Sequence, residues 1–120
     1  MSLTVDVLTI DPDGTWHLQA TPAGCSDLAG PESWRTTVWG SPTVHALGAR
    51  FFPQLAHGDL IVPPDQVPDF LRECALLRTA LDSITPTPDG RSAPLVAERL
   101  TTIELAATRA LHTGAGLVLW

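Results

Sequence analysis

A chain of 120 residues with 44% hydrophobic and 17% charged side chains has the size and make-up of one folded domain with its own apolar core. Its net charge is −6, from 13 acidic side chains against 7 arginines and no lysine. That balance argues against nucleic acid as a direct partner, which needs clustered cations, and the absence of lysine and tyrosine excludes Schiff-base, P-loop-lysine and tyrosine-acid chemistry.

The first element predicted is a strand over Leu3–Ile10, with Leu3, Val5 and Val7 on one face. On the other face Thr4 and Asp6 give way to Leu8 and Ile10. Asp11-Pro12-Asp13-Gly14 is a turn signal, since proline presets φ, aspartate bonds locally and glycine accepts positive φ. Thr15–Ala20 returns as the second strand of a hairpin, with Trp16, Leu18 and Ala20 on one side. Thr21–Ser33 reads as loop, and Trp34–Trp39 alternates as a third strand. In that strand Arg35 and Trp39 share one face and Trp34 the other.

Ser41-Pro42 opens a short helix that Gly48 ends, with serine as the cap and proline at the first helical position. Phe51-Phe52-Pro53 reads as irregular chain or a single turn, and Asp59–Val62 as a short strand. A long helix follows over Gln66–Ser83, capped by Asp65, with Pro68 harmless in its first turn. Val67, Phe70, Leu71, Cys74, Leu77 and Leu81 make its apolar stripe, and Arg78 is expected to snorkel outward toward Asp82. Thr85–Ala93 is a linker, Pro94 to about His112 a second long helix, and Leu117–Trp120 a final strand. The order β-β-β-α-(β)-α-α-β implies an α+β fold: a mostly antiparallel sheet of four or five strands with two long helices on one face.

Chemistry-bearing patterns are sparse. His17, His45, His57 and His112 lack zinc-site spacings, and no glycine-rich phosphate loop precedes a helix, so neither metal nor cofactor is expected. Cys74 lies in an apolar stripe and reads as a packed thiol, whereas Cys25 sits in the loop. His57-Gly58-Asp59 sets an imidazole and a carboxylate at a turn, which suits acid–base work but is also ordinary turn chemistry. A helix-covered sheet has a second face, and Trp39 with Arg35 on such a face would have the composition of a binding hot spot.

No signal peptide and no apolar run near the roughly 20 residues of a membrane span are present, so the expected location is cytoplasmic, with reduced thiols. The segments ESWRTTVWGS (Glu32–Ser41), GDLIVPPDQVPDFLRECALLR (Gly58–Arg78) and GLVLW (Gly116–Trp120) resemble a group of small actinobacterial proteins, a likeness that brings no activity with it. In size, acidity and α+β make-up the chain is also similar to immunity proteins of bacterial toxin systems. The expectation is therefore a small acidic protein-binding module, an immunity-type inhibitor occluding a basic toxin domain through Arg35, Trp39, His57 and Asp59. The alternatives are an enzyme or small-ligand binder using His57, Asp59 and Cys25, and a homodimeric scaffold.

Overall fold

A computed structural model describes residues 2–85 and 93–120. The fold is α+β. Among these residues five strands form an antiparallel sheet: β1 (Ser2–Ile10), β2 (Trp16–Leu18), β3 (Leu28–Pro31), β4 (Leu60–Val62) and β5 (Gly116–Leu119). The main path runs β2-β1-β5-β4, and β3 pairs with the other end of β1, on the strand edge that β2 also uses. Among the described residues four helices accompany the sheet: α1 (Pro42–Ala46), α2 (Val67–Thr79), α3 (Leu81–Ile84) and α4 (Ala93–Thr113).

One face of the sheet builds the core. Leu3, Val5 and Val7 of β1, Leu60 and Val62 of β4, and Leu117 and Leu119 of β5 join one apolar cluster. Val67, Phe70, Cys74 and Leu77 of α2 enter it with Val96, Leu100, Ile103, Ala107 and Ala110 of α4. Helix α4 packs against β1, β3 and β5, and α2 packs on α4. The strand period of two and the helix period of 3.6 thus deliver their apolar sides to the same layer.

The third strand is not where alternation puts it. Residues Arg35–Trp39 form a π-helical turn, and the strand is the tetrapeptide Leu28–Pro31 inside the expected loop. Trp34, Val38 and Trp39 all join the one core cluster; a pleat would send the neighbours Val38 and Trp39 to opposite faces, whereas one wide helical turn brings residues four and five apart to the same side. The Trp39 indole N–H donates to the Ala29 carbonyl at 2.8 Å, tying the turn to β3. Gly30 lets the Trp34 ring pack directly on β3: its φ is +107°, and a Cβ there would lie 2.2 Å from that ring. From Trp34 the aromatic contacts run through Trp39 to Phe52 and Phe70, with centroid spacings of 5.9, 5.4 and 5.1 Å.

The expected cap at Ser41 is present, with its Oγ accepting from the Val44 N–H at 3.3 Å, and Gly48 follows at φ +94°. Phe52–Ala56 forms a single 3-10 turn. Asp65 does not cap α2. Pro63 and Pro64 lead instead into a 3-10 turn over Pro64–Gln66 that runs into the helix. The helix expected over Gln66–Ser83 is also broken: Ala80 leaves helical geometry at φ −119° and ψ 23°. The following turn, α3, reaches α1 as well as α4. Arg78 points outward as expected, but toward α4, donating to Glu104 and to Thr101 Oγ1 (2.9 Å) rather than to Asp82. The linker expected over Thr85–Ala93 falls largely outside the described residues.

Candidate functional site

The four residues singled out from the sequence do not form one exposed surface. Trp39 is fully buried, so the exposed hot spot expected around it is corrected: its ring is a core element. Arg35 and Asp59 do meet, with guanidinium and carboxylate 3.5 Å apart. Arg35 also donates to the carboxylate of Glu32 (2.9 Å) and to the carbonyls of Gly58 (2.5 Å) and Leu55 (3.4 Å). With its donors spent on the turn before β4, Arg35 is a staple between two segments. His57 is exposed and turns away from this cluster, lining an open depression of about 400 Å³ with His45, Ala49, Arg50, Pro53 and Gln54. Cys25 is exposed, whereas burial pushes the Cys74 thiol well above its ordinary pKa and keeps it neutral. Among the described residues no group of three or more His, Cys, Asp or Glu side chains is placed to hold a metal ion. None of the described helices is long and apolar enough to cross a membrane.

A different surface stands out, on the face of the sheet opposite the core. Cross-strand partners share a face, so the register assigns it. Asp6 lies opposite Val118, which lies opposite Ile61; Leu8 lies opposite Leu18, and Ile10 opposite Trp16. Beyond the end of β5, Trp120 exchanges both backbone hydrogen bonds with Thr4 at 3.0 Å, so it continues the strand and shares the side of Val118. Ile10, Trp16, Leu18, Ile61 and Trp120 are each between 39% and 49% exposed. Leu8 and Val118 are buried there although neither belongs to the core cluster, which gives the patch a closed floor.

Carboxylates edge this apolar surface. Asp6 lies within it, its Oδ2 accepting the Trp120 indole N–H at 2.9 Å. The hairpin turn beside Ile10 and Trp16 carries Asp11, whose Oδ2 is 2.7 Å from His17 Nε2, and Asp13. The backbone N–H of Thr15, 2.9 Å from Asp13 Oδ1, holds that carboxyl below its usual range and keeps it ionised. Asp59 flanks β4 just before Leu60 and Ile61. Large apolar side chains in contiguous array with a charged border are the mark of a recognition surface, and singly scattered ones are not.

The sequence carried a partial signal for this surface. Leu8 and Ile10 fall on the side of β1 that the core residues avoid, and Trp16 and Leu18 alternate on the paired strand. Asp6 and Trp120 were beyond its reach, because they are 114 positions apart and meet only through the β1–β5 pairing. No protein-family model, curated protein or solved structure matches this chain. Its own residues carry the functional argument.

Proposed function

We propose that this chain is an acidic protein-binding module that occludes a basic partner with the helix-free face of its sheet, in the manner of an immunity-type inhibitor. One observation carries the reading: two tryptophans, two isoleucines and a leucine stand exposed together on that face, and carboxylates border them. Tryptophan supplies large contact area at low entropic cost, and interface hot spots are enriched in it. The net charge of −6 supplies long-range attraction for a cationic protein, and the apolar patch supplies the short-range burial. No reactive group is needed for such a role.

The test is binding and neutralisation of the basic proteins encoded next to this chain, compared with an Ile61→Asp/Trp16→Asp double variant. The proposal predicts a 1:1 complex that weakens with added salt and is lost in the variant. Unchanged binding by the variant would overturn it, as would a wild-type protein that forms only homodimers through this face.

A further inference from the structure

The centre of the helix-free face holds a carboxylate in an unusual setting. Asp6 is partly buried between Val118, Leu8 and Thr4, and one of its oxygens is engaged by the Trp120 indole. Its other oxygen accepts no hydrogen bond, and no cation lies within ion-pair distance of either oxygen, among the described residues. At the margins of this face, by contrast, Asp13 has the Thr15 N–H and Asp59 has Arg35. The Trp120 ring is fixed at two points, by its backbone pairing with Thr4 and by its N–H on Asp6, yet 39% of the residue remains exposed. A rigid indole face and an oriented, unsatisfied carboxylate thus stand side by side on an apolar ground.

We infer that this pair is the seat of a partner's arginine side chain. The inference rests on the protein-binding reading above and names the chemistry at its centre. A guanidinium is planar and weakly hydrated, stacks on an aromatic face and presents N–H donors along its edge. Stacked on Trp120, it directs those donors at Asp6, a charge-assisted contact that the surrounding apolar side chains shield from water. An ammonium group is compact and strongly hydrated, so lysine satisfies the charge but not the stacking. The seat therefore selects arginine over lysine, and both over a neutral isostere.

Titration of the intact protein with N-acetyl-arginine amide, N-acetyl-lysine amide and N-acetyl-citrulline amide, followed by 1H–15N spectra, tests this. The arginine compound is expected to shift the Trp120 indole N–H and the Val118 amide saturably, with dissociation in the millimolar range. The lysine compound should bind several-fold more weakly and citrulline not at all. Asp6→Asn keeps an acceptor for Trp120, and its own spectrum reports that the fold is intact; it should abolish the arginine response. Equal responses to arginine and citrulline, or an undiminished response in Asp6→Asn, would overturn the inference. If that happened while Ile61→Asp still disrupted binding of a basic protein, the arginine seat would fall and the wider reading would stand.

Discussion

The carboxylate of Glu73 accepts the backbone N–H of Phe52 at 2.8 Å, and the same group takes the N–H of Phe51 at 2.9 and 3.1 Å and that of Arg50 at 2.5 Å. A buried side chain on α2 thus caps the 3-10 turn that places Phe51 and Phe52 against Phe70. Removing it strands three backbone donors in a poorly solvated site. Glu73→Ala is expected to cost roughly 3 kcal/mol or more in urea unfolding, and Glu73→Gln, which keeps one acceptor oxygen, about 1–2 kcal/mol. Equal losses in the two variants would show that packing rather than the carboxylate fixes the turn.

Trp39 and Trp16 should behave oppositely. Trp39→Phe leaves the Ala29 carbonyl without its donor in the core and is expected to destabilise the fold by about 2–3 kcal/mol. Trp16→Ala touches a solvent-facing ring and should stay within roughly 0.5–1 kcal/mol of wild type, while removing contact area for a partner. Thermal melts of both variants check this directly.

Those two tryptophans also show what was legible in the sequence. The period-two runs at Leu3–Ile10 and Leu117–Trp120 and the 3.6-period stripes of the long helices are strong local signals; β1, β5 and α4 formed within one residue of them, and α2 starts where its stripe does but stops at Thr79. RTTVW alternates as well as a strand does, but its conformation is set by packing of Trp34 over Gly30 and of Trp39 on Phe52, contacts no local pattern reports. The strand LAGP has no β-branched or aromatic residue and exists because β1 offers it an edge. Glu73 did leave a trace, lying three residues after Phe70 and four before Leu77 on the buried side of α2. A lone acid in an apolar stripe signals a polar partner, here three backbone N–H groups.

Arg35 is expected to tolerate no conservative replacement. A lysine cannot reach Glu32, Asp59 and the Gly58 carbonyl together, so Arg35→Lys should cost about 1–2 kcal/mol and loosen the turn before β4. Amide hydrogen exchange at His57–Leu60 should accelerate in this variant, and unchanged protection there would argue against the staple.

The two thiols should separate cleanly. In the native protein a thiol reagent should titrate one group, exposed Cys25, and reach Cys74 only on unfolding. Because burial raises the Cys74 pKa above the ordinary 9.0, the folded state keeps its proton where the unfolded state loses it. The associated stability is complete below about pH 9 and declines as pH rises through the range between the two values. Cys74→Ala should flatten that decline, and a decline of unchanged steepness would assign it to other groups.

The central claim is that the helix-free sheet face, with Asp6, Ile61, Trp16 and Trp120, meets the partner. The most direct measurement is acrylamide quenching of tryptophan fluorescence, free and in complex with a basic partner. In the free protein Trp16 and Trp120 should be quenched and buried Trp34 and Trp39 spared, and complex formation should shield the first two. A tight complex in which both Trp16 and Trp120 remain as quenchable as in the free protein would contradict the account.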